Sequence, residues 1–153
     1  MDDSSWLQHD LAEALGISQS EISKSINRSK YSGLLDPTGK TVMKSALLEF
    51  IIHGFRYVFP QRPGALTRGV PTAHSAEPLK NLIESSEQFV WPHVRGTVRG
   101  QAITPLYRNL PAAALNDSKL HEMLALSDAL RVGKAREKQL AIDLLHERFA
   151  HGN

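Results

Sequence analysis

The chain has 153 residues, 41% of them hydrophobic, and no cysteine. It is therefore long enough to bury an ordinary core without staples, and it has no disulfide, thiolate metal site or cysteine nucleophile. A formal charge of +2 is too small to argue for a nucleic-acid partner by itself. No apolar run approaches a membrane span, and the polar start Met1-Asp2-Asp3-Ser4-Ser5 does not read as a signal peptide, so the expectation is a cytoplasmic protein with no membrane contact.

The first element is a helix-turn-helix over residues 11–26. Ala12 is small where a second helix would cross, and Gly16 has the freedom in φ that a tight turn between helices requires. Ser18-Gln19-Ser20-Glu21 then reads as a capping box: the Ser18 hydroxyl accepts from the Glu21 amide while the Glu21 carboxylate reaches back to Ser18. Ile22 and Ile26, four residues apart, share one face with Leu11, Leu15 and Ile17 to meet them. The outward face keeps Gln19, Ser20, Ser23, Lys24, Asn27 and Arg28. Gln and Asn pair bidentately with adenine, Lys and Arg suit guanine or phosphate, and a helix start with its cap, here Ser18, favours phosphate. The expectation is that Gln19, Ser20, Ser23, Lys24 and Asn27 read base edges while Arg28 and Lys30 hold phosphates. A packed helical hairpin with no nucleic acid is the competing expectation.

Residues 16–28, Gly-Ile-Ser-Gln-Ser-Glu-Ile-Ser-Lys-Ser-Ile-Asn-Arg, followed by Ser32-Gly33-Leu34-Leu35, resemble the helix-turn-helix core of bacterial winged-helix transcription regulators, the MarR-like group in particular. The resemblance covers roughly the first third of the chain. It implies that the Gly-Leu-Leu run leads into a β-wing, with Asp36-Pro37-Thr38-Gly39-Lys40 as its turn and Lys40 on the DNA side. It also implies a homodimer on double-stranded DNA, since two recognition helices about one DNA turn apart read a palindromic site. Helical periodicity resumes at Val42, so any wing is very short.

Residues 42–53 read as a helix on Val42, Met43, Ala46, Leu47, Phe50 and Ile51, with a second apolar side through Leu48 and Ile52 and a stop at Gly54. Residues 55–59 read as an aromatic and β-branched strand. Residues 66–70 are a possible antiparallel return, which would place Arg62 at the tip of a second hairpin near phosphates; an ordered Pro-rich loop over the core is the competing expectation. An amphipathic helix over 77–87 on Leu79, Leu82 and Ile83 follows, then strand-like runs at 89–92 and 94–103.

This middle region holds the excess of cations. Between residues 61 and 110 stand Arg62, Arg68, Lys80, Arg95, Arg99 and Arg108 against Glu77, Glu84 and Glu87. Arginine forks suit phosphate or carboxylate, and solvated loop arginines are the equal alternative. The repeated Val-Arg-Gly unit is too short for a structural repeat and lacks the Gly-Lys-Ser/Thr of a phosphate-cradling loop. Trp91 and Tyr107 either line a small effector pocket or, more in keeping with their proline neighbours, simply pack.

Asn116, Asp117 and Ser118 offer N-caps for a helix on Leu120, Met123, Leu124, Leu126 and Leu130 that Gly133 ends. A second helix over about 135–149 carries Leu140, Ala141, Leu144, Leu145 and Phe149 on one stripe, antiparallel to the first. This hairpin either closes the core or pairs with another chain, and it or the 42–53 helix is the expected dimer interface.

The seven histidines (His9, His53, His74, His93, His121, His146 and His151) are scattered without metal spacing, and no nucleophile elbow or carboxylate pair occurs. The expected fold is mainly α with small β-hairpins. It divides into a (winged) helix-turn-helix domain at 1–60, a Pro/Gly/Arg-rich segment with short strands and a short helix at 61–116, and a helical hairpin at 117–150. The expected function is a dimeric DNA-binding repressor, neither an enzyme nor a holder of metal or cofactor. The alternative is an antitoxin or accessory subunit that grips a partner protein through the terminal hairpin and autoregulates its operon.

Overall fold

Seven α-helices and one three-stranded sheet form residues 6–151, the part of the chain described by the computed structural model. The polar residues 1–5, weighed above as a leader, lie outside the described residues. In chain order the elements are α1 (Gln8–Leu15), α2 (Gln19–Ser32), α3 (Lys44–His53), α4 (Phe55–Val58), β1 (Leu66–Pro71), β2 (Phe89–Pro92), β3 (Val98–Ala102), α5 (Leu110–Leu115), α6 (Ser118–Val132) and α7 (Ala135–His151).

One core joins α3, α5, α6 and α7 to the sheet. Leu126, Ala129 and Leu130 of α6 meet Ala141 and Leu145 of α7, Ile51 and Ile52 of α3, Leu110 and Ala114 of α5, and Val70, Phe89 and Trp91 of the sheet. The terminal hairpin therefore closes the domain core. Every residue of α6 from Ala125 to Leu130 is buried, Ser127 and Asp128 included, so this helix is enclosed rather than laid on a surface. Asp117 is its N-cap, accepting from the Leu120 amide at 3.1 Å.

Asp128 anchors that helix. Its carboxylate accepts from the Thr72 hydroxyl at 2.7 Å, the Trp91 indole at 2.8 Å and Arg131 Nη1 at 2.8 Å. Burial pushes the Asp128 carboxyl above the usual carboxylate range, and these three donors oppose that push. Arg131 extends the network by donating through Nε to the Phe59 carbonyl at 2.8 Å. Buried polar groups are tolerated here because each has a partner.

In the small sheet each strand pairs with both others. β1 runs antiparallel to β3 through Leu66↔Gln101 to Gly69↔Val98, then antiparallel to β2 through Gly69↔Pro92 to Pro71↔Val90. β2 and β3 close the ring in parallel at Phe89↔Gln101 and Val90↔Ala102.

Two local expectations change and two open alternatives are resolved. Residues 55–58 form a helical turn, not a strand, because Gly54 stays right-handed (φ −116°, ψ −29°) and lets the chain continue past α3. Burial of Phe55 against Phe50 and Phe59, with the Arg131 guanidinium 5.6 Å from its ring centroid, overrides the β propensity. β1 consequently has no hairpin partner upstream, and Arg62 sits in the irregular segment before it rather than at a hairpin tip. The 77–87 helix reduces to a 3-10 turn at Leu79–Asn81. There Leu79 is buried but Leu82 is exposed, and serine hydroxyls capture the backbone instead: Ser85 Oγ accepts from Glu87 N and Ser75 Oγ from Phe89 N. Trp91 packs, the favoured of its two expectations: it is 1% exposed, bonded to Asp128, and its ring lies tilted against His121 with centroids 5.3 Å apart. Tyr107 is half-buried, and burial pushes its hydroxyl up from the ordinary tyrosine value.

Candidate nucleic-acid interface

The turn between α1 and α2 is built as its sequence requires. Gly16 takes φ +67°, its residue 17 neighbour returns an amide to the Ala12 carbonyl at 3.0 Å, and Ser18 Oγ accepts from Glu21 N at 3.2 Å. Only half of the capping box forms: the Glu21 carboxylate lies 3.6 Å from Lys24 Nζ instead of returning to Ser18. The Gly16 carbonyl also accepts from Asn109 Nδ2 at 2.7 Å, which ties the turn to the start of α5.

α2 is held mainly on one side. Ile22 is 4% exposed against α1, and Ile26 is half-buried over Gly39. The loop that carries Gly39 is itself organised by Asp36, whose carboxylate accepts from Thr38 Oγ1 at 2.7 Å, Thr41 N at 3.0 Å and Lys40 N at 3.1 Å. The Thr41 amide, then the Thr38 hydroxyl, hold the Asp36 carboxyl below the usual carboxylate range. A single antiparallel bridge, Leu35↔Val42, closes the loop, with no paired strands beyond it.

The rest of α2 faces solvent. Gln19, Ser20 and Asn27 are exposed, and among the described residues their side chains have no hydrogen-bond partner. Ser23 is half-buried beside them. Lys24 is exposed with its weak pairing to Glu21, Arg28 is exposed and donates to Ser25 Oγ at 3.0 Å, and Lys30 is exposed on the last turn. Lys40 differs from the expectation. It is half-buried, donates to the Trp6 carbonyl at 2.9 Å and stands 4.4 Å over the Trp6 ring, so it braces the entry to α1 instead of pointing at a ligand. Arg62 belongs to the segment that joins β3 through Gly64 N and the Ala102 carbonyl, and is not part of the α2 group.

One residue of this surface escaped the reading of the sequence. Tyr31, on the last turn of α2, is 97% exposed. An aromatic inside the polar run Lys30-Tyr31-Ser32 was the signal, and its hydroxyl is of a type that bonds phosphate oxygens. A 14-residue helix is about 21 Å long and 10–12 Å wide with side chains, dimensions that a major groove about 12 Å wide admits.

Three histidines act on the backbone. His74 Nε2 donates to the Glu87 carbonyl at 2.6 Å, His121 Nε2 to the Pro71 carbonyl at 2.8 Å, and His93 Nδ1 accepts from Arg95 N at 3.1 Å. Among the described residues no cluster of three or more His, Asp or Glu is arranged to hold a metal ion, and no helix is long and apolar enough to cross a membrane. No protein-family model matches the chain, and no curated protein or solved structure matches it either.

Proposed function

We propose that this chain is a sequence-specific DNA-binding transcription regulator, a homodimeric repressor whose α2 enters the major groove. The observation that carries the reading is a capped helix held by buried Ile22 and half-buried Ile26 that leaves Gln19, Ser20 and Asn27, without hydrogen-bond partners among the described residues, beside Lys24 and Arg28. Amides at the exposed face of a helix read adenine, and the cations add the phosphate attraction on which duplex binding depends. In this reading the MarR-like wing is reduced to the Asp36-ordered loop that supports α2 from beneath, and Lys40 braces α1.

Dimerisation is proposed on different ground from that expected. The apolar stripes of α3, α6 and α7 are used within the chain's own core, so the hairpin does not offer them to a partner. Exposed apolar side chains remain at scattered places; Tyr57, Val58 and Phe59 are three consecutive ones, at α4 and just after it, and we place the dimer contact there. The same use of the hairpin weakens the reading as an antitoxin or accessory subunit.

Selection from a random duplex pool with the full chain tests the proposal. The expected product is an inverted repeat with half-sites about one DNA turn, 34–36 Å, apart. Recovery of no sequence above the starting pool would overturn it.

A further inference from the structure

Three Arg-Gly pairs, Arg68-Gly69 on β1, Arg99-Gly100 on β3 and Arg95-Gly96 in the loop between β2 and β3, share one arrangement. In each the glycine is buried and the arginine exposed. A Cβ on Gly69 would collide with the Trp91 carbonyl, one on Gly96 with the Gly69 backbone, and one on Gly100 with the Gln88 carbonyl. The glycines let the backbones approach closely, and that approach gathers the arginines that precede them. Arg68 and Arg99 are direct partners in the β1–β3 register, a position that sets Cα atoms about 4.5–5.5 Å apart. The Arg68 carbonyl accepts from His93 N at 3.4 Å, which draws the Arg95 loop alongside.

Like charges directly opposite on an antiparallel pair destabilise it. Among the described residues no ion pair relieves them. No carboxylate occurs from residue 50 to 76 or from 88 to 116, which takes in all three strands. None of the three guanidinium groups has an ion pair or hydrogen bond among the described residues.

We propose that Arg68, Arg95 and Arg99 form a second DNA contact, separate from α2, that grips the phosphate backbone of duplex DNA without reading sequence. The inference rests on the reading of the chain as a DNA-binding protein but not on α2 as the reader. Duplex DNA suits this cluster because it presents a charge about every 1.7 Å along its axis, enough to engage several guanidinium groups within one short stretch. The planar fork of arginine also matches phosphate oxygens bidentately.

The test compares the full chain with the triple variant Arg68→Gln, Arg95→Gln, Arg99→Gln and with Gln19→Ala, on the selected duplex, an unrelated duplex and polyglutamate across salt concentrations. The triple variant is expected to weaken both duplexes equally and to flatten the slope of log K against log salt by about 2–3, at about 0.9 per phosphate. Gln19→Ala is expected to weaken only the selected duplex and to keep the slope. A triple variant with the wild-type slope overturns the proposal, as does a loss confined to polyglutamate, which would assign the cluster to an acidic protein. If the triple variant alone loses DNA, the reading of α2 fails and this one stands; if the wild type binds no DNA, both fail. An independent readout is melting: Arg99→Gln alone is expected to raise Tm by about 1–3 °C at low salt by removing the like-charge pair. A lowered Tm would give Arg99 a structural role and contradict the proposal.

Discussion

Trp91 and Asp128, 37 residues apart in the chain, are joined by an indole-to-carboxylate hydrogen bond of 2.8 Å inside the core. The same carboxylate holds Thr72 and Arg131, so one side chain locks the sheet, the loop after it and the central helix together. Arg131 and Asp128 are each 4% exposed at the side chain. Truncating Asp128 would leave a buried guanidinium and two buried donors without their acceptor. Asp128→Ala is therefore expected to cost about 3–5 kcal/mol, and Asp128→Asn less, in urea unfolding of the whole chain. A loss below about 1 kcal/mol would show that the network is not what holds α6 in place.

Gly16 carries a second prediction. At φ +67° a Cβ is strained, and it would also stand 3.0 Å from the Cβ of Asn109. Gly16→Ala is expected to cost about 1–2 kcal/mol and to act first on the helix-turn-helix. Asn109→Ala, which removes the bond to the Gly16 carbonyl, should cost about 0.5–1.5 kcal/mol. Hydrogen exchange resolves the location: amides of α1 and α2 should exchange faster in both variants while those of α6 and α7 keep their protection.

The loop beneath α2 should respond to acid. The Asp36 carboxyl is held low by the Thr41 amide and the Thr38 hydroxyl, so its folded value lies below that of the unfolded chain, about 3.9. Its contribution is therefore present above that unfolded value and is lost as pH falls through the folded one. Amide signals of Lys40 and Thr41 should shift, and their exchange should quicken, on acidification below about pH 4. Asp36→Asn should remove this dependence. An unchanged transition in Asp36→Asn would assign it to another group.

What the sequence made legible was local. Gly16, Ser18 and the Ile22/Ile26 pair describe their own neighbourhood, because turn freedom, capping and four-residue spacing are satisfied within a few residues. The α6–α7 hairpin was legible for the same reason. The strand expected at residues 55–59 was lost to the right-handed Gly54 and to burial of Phe55 beneath the guanidinium of Arg131, a distant residue that no local pattern announces. Ser85 likewise took a backbone partner, the Glu87 amide, that a periodic 77–87 helix would have needed. On α2, spacing alone placed Gln19, Ser20 and Asn27 on the outward face, where they are exposed. Lys40 was misjudged because its partner, Trp6, lies 34 residues upstream. The meaning of the Arg-Gly pairs also depended on register, since only strand pairing sets Arg68 opposite Arg99.

The central claim is that α2 reads bases, and binding of Gln19→Ala and Asn27→Ala to the selected duplex measures it most directly. Both side chains are exposed and without hydrogen-bond partners among the described residues, so neither change should alter folding. Each is expected to cost about 1–3 kcal/mol on the selected sequence, with little change on an unrelated duplex and none in salt slope. Equal affinity of wild type and both variants for the selected duplex would contradict the account.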